Sequence, residues 1–228
     1  MTDNIITNET DAMRTKVILA AAKLFLTKGF TNSSVREIAA AAGVNVSTML
    51  YEFGSKEEIL CSIVRYVIEG QFGATREVLS GVTDDKILFY AAETTLQLYM
   101  AESSEQTRSL YSAAYSLPKS TELIYHVITG KLEDIFKEHL PHLETKDFFE
   151  LEIASAGIMR GFLTEPCNMY FTMERKVSRF IETTFLVYRV SDEKIKEAVE
   201  FVSRFDWQRI ASGVIDDMVK KLEIATGQ

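Results

Sequence analysis

The 228-residue chain is 46% hydrophobic and 25% charged, the balance of an ordinary soluble globular protein of one large or two modest domains. No run approaches the roughly 18–20 apolar residues that a membrane span needs. The first ten residues lack the basic start and apolar core of a signal peptide, so a cytoplasmic protein without membrane contact is expected. Cys61 and Cys167 stand far apart, at no metal or redox spacing, and read as reduced apolar fillers.

A formal net charge of −8 argues at first against a nucleic-acid partner. Its distribution softens the objection. Residues 12–56 carry six basic side chains (Arg14, Lys16, Lys23, Lys28, Arg36, Lys56) against Glu37 and Glu52, whereas residues 71–228 carry 18 basic and 25 acidic ones. A mildly basic head joined to an acidic body fits a reader coupled to a sensor.

The chain reads as all-α: strand-type alternation and hairpin dipeptides are missing. A first helix spans about 11–28, with Ile18, Ala21, Ala22, Leu24 and Phe25 as its apolar stripe and Gly29 as its stop. A second starts at the Ser33-Ser34 cap, where Glu37 completes a capping box, and Gly43 supplies the left-handed residue a tight turn requires. Asn45 caps a third helix that ends near Phe53, and Ser55, with Glu58, caps a fourth that runs to about 79. Longer helices follow at roughly 84–102, 105–117, 120–140, 145–165, 170–190, 192–204 and 206–225, with Pro118, Pro141 and Pro166 at three of the breaks. The division expected is a helix-turn-helix reader at 1–56 and a larger helical body at 57–228.

The head resembles the tetracycline-repressor (TetR) family of bacterial transcriptional regulators. The resemblance rests on Ile18-Leu19-Ala20-Ala21-Ala22-Lys23-Leu24-Phe25, Lys28-Gly29-Phe30, Ser33 to Ala39, Ala42-Gly43-Val44 and Phe53 to Ile59. It implies an N-terminal three-helix DNA-binding domain joined to a helical-bundle domain for ligand sensing and dimerisation. The implied function is a homodimeric repressor, released from a palindromic double-stranded DNA operator by a small-molecule effector. The third helix would enter the major groove. Asn45, Val46, Ser47, Thr48 and Tyr51 are then the base and phosphate candidates, with Ser33 and Ser34 at the start of the second helix. Lys56, at the start of the fourth, opposes the helix dipole unless a phosphate lies beside it. Two positions depart from the family pattern: Glu52 stands where a phosphate would repel it or a cytosine amino group would attract it, and Val46 replaces a basic residue.

The body carries no motif, but it is rich in aromatic residues and methionine. Phe89, Leu96, Tyr99, Tyr111, Tyr115, Met159 and Phe162 are the candidate pocket lining, with His126, Gln97 and Arg160 as polar candidates. The acidic balance favours an apolar or cationic effector. Pro141 separates His139 from His142, and apart from Glu144 no carboxylate or thiol at ligand spacing completes a metal set, so neither metal nor cofactor is expected. Nucleophile-base, paired-carboxylate and phosphate-loop motifs are missing too, and the chain is not read as an enzyme. Residues 147–165, with Ala154, Ala156, Gly157 and Gly161, and residues 173–188 are the expected two-fold interface. Two other readings stay open on the residues alone: a DNA-binding dimer that senses nothing, and a small-molecule-binding helical protein with a decayed reader.

Overall fold

The computed structural model describes residues 2–227, with side chains from residue 11 on; among them are eleven helices and no strand. In chain order these are α1 (Thr2–Lys28), α2 (Val35–Ala42), α3 (Val46–Phe53), α4 (Lys56–Leu79), α5 (Lys86–Glu102), α6 (Glu105–Ala114), α7 (Pro118–Phe136), α8 (Thr145–Thr164), α9 (Met173–Val187), α10 (Asp192–Val202) and α11 (Trp207–Thr226). None is long and apolar enough to cross a membrane.

Caps explain most of the boundaries. Ser34 closes a complete capping box with Glu37. Gly43, at φ 67°, lets the amides of residues 43 and 44 reach back to the last carbonyls of α2. Asn45 caps α3 and Ser55 caps α4, though the Glu58 carboxylate does not return to the cap and pairs with Lys119 instead. Several boundaries differ from expectation. Helix α1 begins nine residues earlier, at Thr2. Pro118 opens α7 from its first position, where a missing N–H costs nothing, and α7 stops at Phe136. The stretch after Pro166 is a turn: the side-chain carboxamide oxygen of Asn168 accepts from the amides of Tyr170 and Phe171 at 2.9 and 3.0 Å, delaying α9 to Met173.

The first three helices share one small core of Val17, Phe25, Phe30, Ile38, Ala39, Met49 and Phe53, with Phe25 and Phe30 edge to face at 5.2 Å. Helix α5 is the axis of the rest: residues 90–98 are all buried, encircled by α4, α6, α7, α8, α9, α10 and α11. At one end of it Tyr90, Phe136 and Tyr188 form an aromatic triangle, with Phe136 and Tyr188 stacked at 4.2 Å. Helix α4 touches both groups. It meets α1 and α3 at its start, and α5, α7 and α11 along its length. At Gly70 helix α11 comes close: a Cβ would fall 2.8 Å from Met218 Cε, and the methionine side chain would have to shift.

One buried ion pair ties the far end of the body together. The fully buried Lys176 of α9 donates to Glu102 at 2.7 Å and to the Glu165 carbonyl at 2.5 Å, and Arg108 shares Glu102 at 3.2 Å. Removing one member of such a pair leaves an uncompensated buried charge and a carbonyl without its donor. Lys176→Ala is therefore expected to cost about 3–5 kcal/mol in a urea unfolding titration, far more than truncation of an exposed lysine.

Candidate nucleic-acid interface and interior cavities

Helix α3 buries Met49 and Phe53 against α1, α2 and α4, and turns Ser47, Thr48 and Tyr51 to solvent. Tyr51 is 91% exposed, the most exposed of the large hydrophobic side chains. Ser47 and Thr48 lie beside it, and Asn45 caps the helix by accepting from the Ser47 amide at 2.8 Å. Ser34 is exposed as well, so Ser34, Asn45, Ser47, Thr48 and Tyr51 are all open to a partner. Val46 is half-buried against the core.

Two of the expected contact residues face inward. The Ser33 hydroxyl is buried and donates to the Gly29 carbonyl at 2.8 Å, locking the turn between α1 and α2. The Lys56 ammonium lies 4.1 Å from the Phe30 ring centre and donates to the carbonyls of Phe30 and Ser33 at 2.8 and 2.9 Å. Burial pulls its pKa below the ordinary lysine value. That answers the dipole puzzle internally: two carbonyl dipoles and a ring face compensate the cation. Glu52 is neutralised likewise, paired with Arg14 of α1 at 2.6 Å while the same guanidinium covers the Phe53 ring at 4.7 Å. Arg36, in the first turn of α2, takes part in no ion pair among the described residues and was not singled out by sequence.

Two small cavities flank α5. The first is lined by Leu60, Ile63, Val64, Val67, Ile68 and Gln71 of α4, with Gln97, Leu110, Tyr111, Ala114, Tyr115 and Ile124. The second is lined by Phe72, Tyr90, Glu93, Thr94, Gln97, Tyr115, Ile128, Glu152, Ser155, Ala156, Met159 and Phe180. Each leaves about 30 Å³ for the centre of a water molecule, room for a water or two. Gln97 and Tyr115 belong to both, and their hydrogen bond of 2.7 Å is the partition between them. On the first side Gln71 donates to the Tyr111 hydroxyl at 2.7 Å.

Of the residues expected to line a pocket, Tyr111, Tyr115 and Met159 do line these cavities, and Leu96 is buried in the surrounding core. The others lie apart. Phe89 packs on Phe72, Phe162 on Phe180, Tyr99 borders an open groove beside Cys167 and Trp207, and His126 borders a cleft with Arg14, Glu52 and Lys119. Glu93 and Glu152 escaped notice, although a lone acid in the apolar run Tyr90-Ala91-Ala92-Glu93 was a readable signal. Burial pushes both carboxyls up to about 8. Burial likewise raises the Cys61 thiol to about 11, so it holds no thiolate at neutral pH.

Residues 17–63 match the family described as bacterial regulatory proteins of the tetR family. The chain is 34% identical over 82 residues to the HTH-type transcriptional repressor KstR2 of Rhodococcus jostii; the match takes in 36% of this chain and spans less than half, 40%, of that one. It is 28% identical over 154 residues to the probable HTH-type transcriptional regulator YttP of Bacillus subtilis, covering 66% and 68%. Its fold follows the crystal structure of RolR in complex with resorcinol at a TM-score of 0.65, with 17% identity, over 87% of this chain and 97% of that one. A capped helix-turn-helix that fits the pattern of the tetR family of bacterial regulatory proteins thus stands at the head of an all-helical chain.

Proposed function

We propose that the chain is a homodimeric, effector-responsive repressor, with a DNA reader at 1–56 and a sensing and dimerising body at 57–228. The observation that carries the reading is Tyr51, large, apolar and almost wholly exposed on α3 beside Asn45, Ser47 and Thr48. A soluble surface gains nothing from such a side chain, whereas the major groove offers it thymine methyls and phosphate oxygens. Ser34 and Arg36, at the start of α2, suit the adjacent phosphates. Lys56 and Ser33 shape the reader from within, holding the α1–α2 turn against α4.

Two readers related by a two-fold axis would take half-sites about 34–36 Å apart or a multiple of that. The body offers a face for the axis: Ala154, Gly157 and Gly161 of α8 are exposed beside Ile153 at 44%, and Leu186 of α9 is 63% exposed. Small residues let a second copy approach closely, and the two aliphatic side chains supply apolar area to bury. An apolar or cationic effector would enter between α4, α5, α6, α7 and α8, where the cavities lie. Expansion there displaces α4 and with it the readers, so that effector and operator affinities oppose each other through one coupling energy, typically about 1–3 kcal/mol.

The test of the reader is selection from a random duplex pool by purified protein at low salt. The wild type is expected to enrich a palindrome, and Tyr51→Ala to lose about 10–100-fold in affinity for it without loss of helical content. Equal enrichment by both proteins would sink the assignment of α3. The dimer has its own test: Leu186→Glu together with Ile153→Glu is expected to halve the mass seen by sedimentation, and an unchanged mass would move the interface elsewhere.

A further inference from the structure

The second cavity holds two carboxyls whose charge its lining offsets by no more than one hydroxyl hydrogen bond, from Ser155. Glu93 projects from α5 and Glu152 from α8, both more than nine-tenths buried. Glu152 accepts from the Ser155 hydroxyl at 2.7 Å. Glu93 forms no side-chain hydrogen bond and no ion pair among the described residues. Neither cavity has a lysine, arginine or histidine in its lining, so the two acids are the only charge-bearing groups there. Thr94, Gln97 and Ser155 are its neutral polar members, and the remainder is aromatic or apolar, chiefly Phe72, Tyr90, Tyr115, Phe180, Ile128 and Met159. One ring already shows the matching chemistry, because Lys131 of α7 lies 4.4 Å from the centre of Phe72 while pairing outward with Glu69 at 3.0 Å.

We propose that the effector is an organic monocation, a protonated amine or quaternary ammonium on an apolar body, with its charge held between Glu93 and Glu152 and its apolar part passing the Gln97–Tyr115 partition. This rests on the effector-responsive reading above and adds the chemical class. A buried carboxyl without a partner is a standing cost unless something brings countercharge, and ring faces around it favour a weakly hydrated cation over a hydrated metal ion. Once Tyr115 leaves Gln97, the two cavities join, and the occupant's apolar part meets Leu60, Ile63 and Val64 of α4. Tyr115 stands three residues before Pro118, and Lys119 of the same turn bonds Glu57 and Glu58 in the first turn of α4. Displacing Tyr115 therefore pulls on the end of α4 that carries the reader.

Proton release follows from the same geometry. The groups facing the two carboxyls are each other, Tyr90 of α5, Tyr111 and Tyr115 of α6, Ser155 of α8 and Tyr188 beyond α9, with Lys131 of α7 as the one nearby cation. With both acids raised to about 8, the free protein carries them protonated at neutral pH. A bound cation favours the ionised form, so binding expels protons to solvent and tightens as pH rises towards about 8.

The probes are 4-phenylbutylamine, 4-phenylbutanol and 4-phenylbutyrate, which share an apolar body and differ in charge. Calorimetry in two buffers of different ionisation enthalpy reads both affinity and protons released. The amine is expected to bind about tenfold or more tightly than the alcohol, with proton release, and the carboxylate not to bind. In Glu93→Gln/Glu152→Gln, which keeps the shape of the neutral acids, the preference is expected to vanish while the alcohol's affinity holds. Folding is checked by melting: the wild type loses stability between about pH 4.5 and about pH 8, where the native state binds more protons than the unfolded chain, and the double variant is expected to melt above it at about pH 8 and alongside it near pH 4. An alcohol that binds as well as the amine, a preference that survives the double substitution, or no binding by any probe overturns the proposal. Release of the selected operator by the alcohol would keep the effector-responsive reading and sink the cation alone, and failure to enrich any operator would sink the reading itself.

Discussion

The head and the body of this molecule are joined at the first turn of α4. Lys56 holds the α1–α2 turn by two carbonyls and a ring face, while Glu57 and Glu58, the next two residues, hold the first turn of α7 through Lys119. Further along, Tyr66 donates to the Met218 carbonyl at 2.8 Å and Gly70 makes room for the Met218 side chain of α11. Reader and body thus share a helix that is clasped at one end and wedged in its middle. A packed helix between fixed neighbours has few positions to choose from, which is what a switch needs and a continuously deformable linker lacks.

The charges divide into two kinds by what compensates them. Lys176 is buried against Glu102 and the Glu165 carbonyl, Arg14 is held against Glu52 and a ring, and Lys194 against Asp85 at 2.6 Å. Each of these is satisfied within the chain and holds two elements in register. Among the described residues Glu93 has no such partner and Glu152 only a hydroxyl. Burial of that sort selects for the neutral acid at a cost to stability above its ordinary pKa, and native chains keep such groups mainly where a ligand later uses them.

The head was legible because its signals are local. Ser34 with Glu37, Gly43, Asn45 and Ser55 each act within four residues, and each bounds the helix its spacing implies, Ser55 without the return contact from Glu58. Fold class was legible for the same reason, from helical periodicity sustained without interruption. Side-chain destinations were not. Lys56 reads as an exposed cation at the wrong end of a dipole, and only the fold brings it to carbonyls 23 and 26 residues away. Glu52 reads as repulsive to DNA until Arg14, 38 residues distant, closes on it. In the body, aromatic stripes gave no means of telling wall from cavity. Phe89 and Phe162 pack at the same spacing as Tyr111 and Tyr115 yet line neither cavity, because position around α5 decides the matter and periodicity fixes only which side of a helix is apolar.

The present smallness of the two cavities is itself part of the proposed mechanism. A ligand site normally encloses about 300 Å³ or more, and each of these leaves about 30 Å³ for a water's centre. A pocket already open would admit an effector without moving α4, and such binding could not change the spacing of two readers, since a ligand shifts an equilibrium only by its difference in affinity for the two states. A pocket closed by the Gln97–Tyr115 and Gln71–Tyr111 hydrogen bonds must be opened by the occupant, and the opening runs through Tyr115 to the clasp on α4. On the proposed mechanism the contracted body and the reader geometry it accompanies belong to one state, and an effector that fills the body selects the other.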